Sequence, residues 1–401
     1  MERLWNANYN RVMLVNFTLF FSFYLLTPLL PLYLSETFGA GKDTIGWVLS
    51  GYTLLALLTR AFSGYLADTF PRKRMLLISL TAYFLLFAGY LIPAGGLLLF
   101  ALVRTIHGAP YGAATVANST MAVDVLPSTR RNEGIGYYGL SNNLASALAP
   151  MAGLAVYHAT GNFRLIFLIA FLTAAVGLLT AYTIRAPRRE KAPGRQVLSL
   201  DRFFLVPGWR LAMNMTLFGA CWGVLSNYLA IYGKEQLGQT SGTGPFFLVL
   251  SAGLIASRLQ GSKALRQGRL TQNALAGILL STIGYTLFIA WDATPGYFLA
   301  ALLIGLGNGH LWPAFQNMIL AIGGKERRGT ANSTLLTSWD LGMGLGILGG
   351  GLVAEHVGYA AAFWATCALH VFALALFVGL TRPAYPPDEG EGEKPLSAPD
   401  A

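Results

Sequence analysis

One carboxylate, Asp340, lies in the middle of a long run of apolar, glycine and small polar residues. Ser333 and Thr337 lie seven and three residues before it and Gly344 four residues after it, so all four share one face of a helix. Burial favours the protonated form of a carboxyl group, which lets the group take up and release a proton as its access changes. We therefore predict that Asp340 carries protons. A structural hydrogen bond, or a pair with an arginine, is the alternative.

A second charge, Arg104, interrupts the apolar run LVRTIHGAPYGAA, residues 102–114. Gly108 and Gly112 follow it one turn apart, and small residues at this spacing let a neighbouring helix approach closely. A charge within a membrane span is unfavourable unless it faces a partner or water. Arg104 therefore either meets a partner inside the protein or extends toward the membrane surface, as long basic side chains do near helix ends.

The stretch RAFSGYLADTFPRKR, residues 60–74, ends one apolar run and begins the next. Asp68 closes the first helix, and Arg72 and Lys73 lie in the short turn that follows. An anchor on the cytoplasmic side of a membrane would account for the basic residues. It does not account for Asp68, or for Gly64, which favours the close approach of another helix.

Aromatic and amide residues in the other apolar runs predict the lining of a pocket. The candidate substrate-binding residues are Asn16, Tyr24, Asn143, Trp222, Asn227, Asn308, His310, Trp312 and Gln316, with Phe20 and Asn214 beside them. Aromatic rings with scattered amides suit a small amphipathic organic molecule better than an inorganic ion. Core packing or contact with lipid is the alternative for each of these residues.

Membrane helices must position these side chains, because 54% of the 401 residues are hydrophobic and only 11% are charged. Soluble domains have about 25% charged residues. Runs long enough to cross a hydrocarbon core of about 30 Å as helices recur along the chain. We predict an all-α membrane protein with twelve transmembrane helices, at residues 10–36, 44–69, 74–93, 96–125, 132–157, 163–185, 209–233, 243–264, 271–291, 296–322, 329–354 and 359–381.

The second half of the chain repeats the pattern of the first at an offset of 197 residues, at which Arg72 matches Arg269 and Asn143 matches Asp340. The match of an amide with an acid suggests that one half titrates while the other only hydrogen-bonds. Transporters built from such repeats bind their substrate between the halves, near the middle of the membrane. We predict an N-terminal six-helix half over residues 1–185, a cytoplasmic linker over 186–208, a C-terminal six-helix half over 209–381 and a disordered tail over 382–401.

Most of the 28 Lys and Arg residues fall in loops on one side of the predicted arrangement, with Lys42, Arg164 and Lys234 on the other. Positive loops stay cytoplasmic, so we expect both termini in the cytoplasm. The net charge of +10 then follows from topology and from anionic lipid headgroups, and it gives no support to nucleic-acid binding. Cys221 and Cys367 lack the spacing of a disulfide framework or a metal site.

The chain resembles the major facilitator superfamily over residues 10–380. The residues that carry the resemblance in the first loop follow the family signature G-x-L-a-D-r-x-G-r-k at Gly64, Leu66, Asp68, Arg72 and Lys73, and depart from it at Thr69 and Pro71. In that family the loop is a cytoplasmic gate latch, in which the carboxylate pairs with basic residues and helix ends of the neighbouring half. The resemblance implies the same role here.

Two more stretches resemble motifs of this family. Arg104 begins a segment similar to R-x-x-q-G-x-g, with His107 in place of the glutamine, and the resemblance implies that Arg104 takes part in proton transfer. Residues 139–153, GLSNNLASALAPMAG, partly resemble the antiporter motif that ends in G-P-x-x-G, with Ala149 in place of the glycine before proline. The chain looks like the bacterial sugar or drug efflux permeases of the family.

We therefore expect an inner-membrane secondary transporter that exports a small amphipathic organic molecule by proton antiport through alternating access. Uptake of a small metabolite or sugar, by proton symport or facilitated diffusion, is the alternative. An enzyme is not expected, because the sequence has no Walker A, HExxH or GxSxG motif, and no cofactor or metal is implied. The expected partners are the substrate, protons and the lipid bilayer, with a monomer as the default state.

Overall fold

The computed structural model describes residues 4–27, 29–40, 42–92, 96–185, 203–237, 244–291 and 293–385. These residues are helical, with no β-strand among them. They form thirteen α-helices: α1 (Ala7–Leu26), α2 (Leu30–Phe38), α3 (Lys42–Thr69), α4 (Arg72–Tyr90), α5 (Gly96–Val125), α6 (Arg131–Thr160), α7 (Phe163–Thr183), α8 (Trp209–Leu237), α9 (Gly244–Arg266), α10 (Leu270–Ala290), α11 (Thr294–Gly323), α12 (Arg328–His356) and α13 (Tyr359–Leu376).

Six helices within the described ranges are long and apolar enough to cross a membrane by length and composition. They are α4, α5, α7, α10, α11 and the segment Tyr359–Ala384, which continues α13. The prediction of an all-helical fold with apolar, membrane-spanning helices is thus confirmed for the described residues. The count of twelve spans stays a prediction.

The helix bounds follow the predicted apolar runs, as at α5, which covers the predicted span 96–125. The first predicted span, residues 10–36, is instead divided between α1 and α2. The sequence has Pro28 and Pro31 in this stretch. Proline has no backbone N–H and its ring clashes with the preceding turn, so it interrupts a helix.

Polar caps and a glycine set several helix ends. The Asn6 side chain accepts a hydrogen bond from the backbone N–H of Tyr9 at 2.9 Å, and Asn162 accepts one from Leu165 at 3.3 Å. Each cap satisfies an N–H that has no partner inside its helix. Between α9 and α10, Gly268 has a φ of 71°, a conformation that glycine adopts without strain.

The chain divides into two compact units. Unit 1 comprises Met1–Ser128, Ser141–Phe204 and Lys325–Ser333, and unit 2 comprises Thr129–Leu140, Leu205–Gly324 and Thr334–Ala401. The start of α6 therefore groups with unit 2, and the start of α12 groups with unit 1. The predicted linker and tail lie mostly outside the described residues, and the predicted halves stay a prediction.

In unit 1, α5 packs against α3 and α4, and α1 packs against α7. Two glycines bring α5 close to α3. A Cβ on Gly108 would collide with the carbonyl oxygen of Tyr52, and one on Gly112 would lie 2.5 Å from that of Ala56. The two backbones are therefore in direct contact, which places Arg104 of α5 beside the aromatic side chains of α3.

In unit 2, α11 packs against α9 and α10, and α8 packs against α13. A Cβ on Gly305 would collide with the carbonyl oxygen of Leu250, so α11 meets α9 as α5 meets α3. Cys221 and Cys367 are free thiols in the core of this unit. The Cys367 Sγ lies 3.3 Å from the carbonyl oxygen of Tyr285.

Glycines also join α8 to the part of α12 that belongs to unit 2. A Cβ on Gly342 or Gly346 would collide with backbone carbonyl oxygens of α8, and one on Gly219 would collide with the carbonyl oxygen of Trp339. Asp340 lies between these contacts along α12. Its position is thus fixed by a helix pair in backbone contact.

Candidate functional site

Asp68 lies near the end of α3, and its carboxylate caps the first turn of α12. Oδ1 accepts a hydrogen bond from the backbone N–H of Gly329 at 2.8 Å. Oδ2 accepts from the backbone N–H of Thr330 at 2.8 Å and from its hydroxyl at 2.9 Å. The N-terminus of a helix has N–H groups without intrahelical partners and a partial positive charge, so a buried carboxylate is stabilised there.

Arg72, at the start of α4, joins two carboxylates. Its Nη2 donates to Asp68 Oδ1 at 3.2 Å, its Nη1 donates to Asp124, and its Nε donates to the carbonyl oxygen of Ala67 at 3.0 Å. Asp124, at the end of α5, also accepts from Arg328 Nη1 at 3.0 Å. Charges therefore alternate through this group. We refer to Asp68, Arg72, Asp124 and Arg328 as the latch cluster.

Gly64 and Lys73 take different places around the latch cluster. A Cβ on Gly64 would lie 2.8 Å from the Cα of Thr330, so the missing side chain lets α3 approach α12. Lys73 donates to the carbonyl oxygen of Tyr182 at the end of α7, at 2.9 Å. The structure thus groups Gly64 with the latch cluster and places Lys73 on a different, exposed contact.

Sequence reasoning did not include Asp124 and Arg328 among the gate residues. Each lies at a helix end, where a charged residue is ordinary. Their hydrogen bond joins positions 204 residues apart in the chain, so no local pattern specifies it. The sequence offers one weak indication that Arg328 is a gate residue. The Arg pair at the start of α12 matches, at the repeat offset, the Arg pair at the start of α6.

Arg104 is buried among aromatic rings in unit 1. Its guanidinium carbon lies 3.9 Å from the centroid of the Tyr52 ring and 5.9 Å from that of Phe23. The residue is 5% exposed, and no ion pair joins it to a carboxylate within the described part of the chain. A cation–π contact contributes about 0.5–2 kcal/mol. A charge in the middle of a span is unfavourable by about 2.5–3.5 kcal/mol or more, so the rings alone do not offset its burial.

More rings extend this environment across α1, α3 and α5. The Phe23 ring stacks on Tyr52 and on Tyr111, with centroids 5.4 Å and 4.8 Å apart. A second buried arginine, Arg60, has its guanidinium carbon 5.4 Å from the Tyr111 ring, and its Nε donates to the Thr115 hydroxyl at 3.1 Å. We refer to Phe20, Phe23, Tyr24, Tyr52 and Tyr111 as the aromatic cage.

Two of the predicted substrate-binding residues lie on α1. The Tyr24 ring stacks on Phe20 with centroids 6.0 Å apart, and Phe20 lies edge-on to Tyr111 at 5.9 Å. Asn16 is buried, and its Nδ2 donates to the Ser141 hydroxyl at 2.8 Å. Tyr24 therefore belongs to the aromatic cage, whereas Asn16 ties α1 to α6.

In unit 2, two predicted tryptophans meet around Trp339. The Trp339 ring lies edge-on to Trp312 with centroids 5.1 Å apart, and its centroid lies 6.3 Å from that of Trp222. Asp340, the next residue on α12, is partly buried. Asn143, its match in the repeat, is partly buried on α6. In unit 2, the central ring of this aromatic group therefore belongs to the residue that precedes the candidate proton carrier in the chain.

The polar residues of α11 bond to neighbouring helices. His310 Nδ1 lies 2.9 Å from Asn273 Oδ1, and Nε2 lies 3.5 Å from Gln260 Oε1. Asn308 accepts a hydrogen bond from the Ser281 hydroxyl at 3.3 Å. Such contacts hold membrane helices together. Asn308 and His310 thus join α11 to α9 and α10.

Gln316 is buried further along α11, and the side chain of Asn227 lies outside the described residues. Within the ranges that the structure describes, no three His, Cys, Asp or Glu residues lie close enough to hold a metal ion. The described residues thus form two aromatic groups, one around buried arginines and one centred on Trp339, the residue before Asp340.

Comparison with known protein families identifies the superfamily to which the chain belongs. The model of the Major Facilitator Superfamily matches residues 12–275 and 266–400. The chain belongs to this superfamily. It is thus a multi-pass membrane transporter, from a family of transporters rather than enzymes.

Relatives of this chain include an export protein, a multidrug resistance protein and an antiporter. The staphylopine export protein of Staphylococcus aureus (strain Mu50 / ATCC 700699) is 23% identical over 369 residues, covering 87% of this chain and 90% of that protein. Multidrug resistance protein MdtG of Dickeya zeae is 27% identical and covers 87% and 88%. A Na(+), Li(+), K(+)/H(+) antiporter of Planococcus maritimus is 29% identical over 217 residues, covering 52% and 48%.

Solved structures show the same fold. The human organic anion transporter MFSD10 matches with a TM-score of 0.77 at 18% identity, covering 92% of this chain and 98% of that one. FucP in the outward conformation matches with a TM-score of 0.77 at 14% identity, covering 93% and 98%. At these identities the likeness is one of fold.

Proposed function

We propose that this transporter exports a small amphipathic organic molecule in exchange for protons, by alternating access across the bacterial inner membrane. The observation that carries the proposal is the position of Asp340, a partly buried acid in α12 that directly follows Trp339, whose ring meets those of Trp222 and Trp312. Aromatic rings bind flat apolar groups. In this proposal the Asp340 carboxylate gains or loses a proton according to whether substrate is present.

The names of the relatives support export and proton exchange. They include a staphylopine exporter, a multidrug resistance protein and a cation/proton antiporter. The partial antiporter motif of α6 supports the same direction. Its Gly153 lies against α1, where a Cβ would be 2.6 Å from the carbonyl oxygen of Leu25. Close contact at this point makes the geometry of α6 depend on α1, which carries part of the aromatic cage.

The latch cluster supplies the gate in this proposal. Opening where α3 ends and α12 begins breaks the hydrogen bonds of Asp68 to Gly329 and Thr330. By the positive-inside rule this side faces the cytoplasm, as do both termini. Protonation of Asp340 opposes substrate binding, and Arg104 takes part in coupling through its buried positive charge. The proton gradient then drives expulsion.

Inverted membrane vesicles with an acidified interior test the proposal. A panel of amphipathic cations, neutral compounds and carboxylates identifies the compound that the wild-type protein accumulates most. With that compound, we expect Asp340→Asn to abolish proton-driven accumulation while counterflow exchange continues, because the amide keeps the shape but cannot titrate. Glu36→Gln is the matched control, since Glu36 is exposed and accepts a hydrogen bond from Tyr157 at 2.7 Å.

Wild-type accumulation by Asp340→Asn would end the claim that Asp340 carries the proton. Reduced thermal stability with coupling preserved would assign the residue a structural role. Accumulation by right-side-out vesicles alone would favour uptake over export.

A further inference from the structure

The aromatic cage of unit 1 encloses two polar atoms to which the proton-exchange mechanism assigns no partner. In the part of the chain that the structure describes, the buried Arg104 Nε and the buried Tyr52 hydroxyl have no hydrogen-bond partner. Both belong to residues in direct contact, since the guanidinium carbon lies 3.9 Å from the centre of the Tyr52 ring. Buried polar atoms are almost always hydrogen-bonded in folded proteins, so two such atoms on residues in contact need an explanation.

Helix packing does not explain them. At the repeat offset Arg104 corresponds to Ala301, which is fully buried on α11. The glycines that follow, Gly108 and Gly305, make the same backbone contact with α3 and α9 respectively. The helix pair therefore forms equally well without an arginine. The contact between the two helices therefore does not require the charge of Arg104.

The cage is accessible from one side. Phe20, Phe23 and Tyr24 of α1 are each partly exposed, whereas Tyr52 and Tyr111 behind them are buried. Phe23 is the ring of α1 that lies over the arginine, at 5.9 Å from its guanidinium carbon.

The ligand chemistry follows from what the cage offers. The guanidinium Nε and the phenol hydroxyl both donate hydrogen bonds, and the guanidinium carries a permanent positive charge. An oxyanion can accept from a guanidinium and from a phenol, and its negative charge balances that of the arginine. The rings around these donors suit a flat apolar group attached to that anion.

We propose that Arg104 and Tyr52 bind the anionic group of the transported molecule, and that the substrate class is therefore organic anions with a flat apolar part. This inference rests on the proposed transport function and names its substrate class. Carboxylate, sulfonate and phosphonate groups share the required chemistry. Phe23 and Tyr111 hold the apolar part.

Binding of a matched pair of probes tests this site. The pair is naphthalene-1-carboxylate and naphthalene-1-carboxamide, which have the same ring and differ in charge. With the purified protein in lipid nanodiscs and no proton gradient, we expect the carboxylate to bind at least about tenfold more tightly than the amide. In Arg104→Gln this preference should disappear, through weaker binding of the carboxylate, while the affinity for the amide stays unchanged and reports an intact fold.

Three more variants sharpen the result. Arg104→Lys keeps a charge but loses the planar fork, so the preference should fall partway. Tyr52→Phe keeps the ring and removes the hydroxyl. It should weaken the binding of the carboxylate and leave the binding of the amide unchanged. Arg164→Gln is the matched control, because it removes one positive charge from an exposed position of α7 and should leave the preference as in the wild type.

Equal affinities for the two probes in the wild type, failure of the wild type to bind the carboxylate, or a full preference retained by Arg104→Gln would overturn the anion site. None of these outcomes alters the result of the Asp340→Asn vesicle experiment. Failure of proton coupling in that experiment, in turn, leaves the measured preference for the carboxylate standing. The two proposals are thus separable.

Discussion

The α3/α4 hairpin and the α9/α10 hairpin occupy equivalent places in the repeat, yet among the described side chains only the first carries a charge cluster. Asp68 corresponds to Leu265, which is buried, and Arg72 corresponds to Arg269. Arg72 contacts two carboxylates, whereas Arg269 donates to the neighbouring Gln267. The ends of the two hairpins therefore differ in their electrostatics.

The glycines before these positions show what the hairpins do share. A Cβ on Gly64 would lie 2.8 Å from the Cα of Thr330, and one on Gly261 would lie 2.7 Å from His310 Nδ1. Each glycine thus allows close packing, but against a helix start in one case and against a buried neutral network in the other. Close packing at a glycine recurs in both hairpins, whereas the partners of the equivalent arginines differ. We infer that gating chemistry can be changed in one half without changing its fold.

The largest expected effect comes from removing the central cation of the latch cluster. Arg72→Gln leaves the buried Asp68 and the partly buried Asp124 with less compensation, so it should lower the free energy of unfolding by about 3–5 kcal/mol. Arg269→Gln, at the equivalent position, should change it by no more than about 0.5 kcal/mol. Unfolding in detergent, followed by fluorescence, measures both. If both variants lost the same free energy of unfolding, the charge cluster of the α3/α4 hairpin would not be what distinguishes the two hairpins.

A smaller effect should test the shared packing. Gly108→Ala and Gly305→Ala each place a methyl group against a backbone carbonyl oxygen and should destabilise the protein by about 1–3 kcal/mol, to a similar degree. Gly344→Ala is the control, because a Cβ there has no atom within 4 Å. The same unfolding measurement applies. A loss at Gly108 without one at Gly305 would break the equivalence of the two helix pairs.

The smallest effect concerns the gate itself. Asp68→Asn keeps one acceptor for the first turn of α12 but loses the pairing with Arg72, so the closed gate should weaken by about 1 kcal/mol. A single cysteine placed next to the latch cluster reports this, since the native Cys221 and Cys367 are buried. Its labelling from the cytoplasmic side should become about five times faster, by the relation of free energy to equilibrium constants. Unchanged labelling would count against the latch.

The charges in this chain were foreseeable to different degrees. The sequence alone marks Asp340 and Arg104 as candidate site residues, because a charge within an apolar run is conspicuous. Asp124 and Arg328 cannot, because each is ordinary at a helix end and acquires its partner only through the fold. A contact between distant positions leaves no local pattern.

The aromatic and amide residues show a second limit. Tyr52 and Tyr111 gave no signal, since 12% of all residues are aromatic and nothing marks these two. His310 and Asn308 were predicted to line a pocket, and the structure places them in hydrogen bonds to α9 and α10. A polar residue inside a span needs a partner, but the sequence does not say whether that partner is a ligand or a neighbouring helix.

The grouping of Lys325–Ser333 with unit 1 has a consequence for the order of synthesis. A ribosome adds about 5–20 residues per second, so the segment that receives the Asp68 carboxylate is made on the order of ten seconds after α7. Throughout that interval Asp68 exists without the helix start that it caps. Unit 1 is therefore completed only after most of unit 2 has been translated. Its last segment, Lys325–Ser333, is made after the bulk of unit 2.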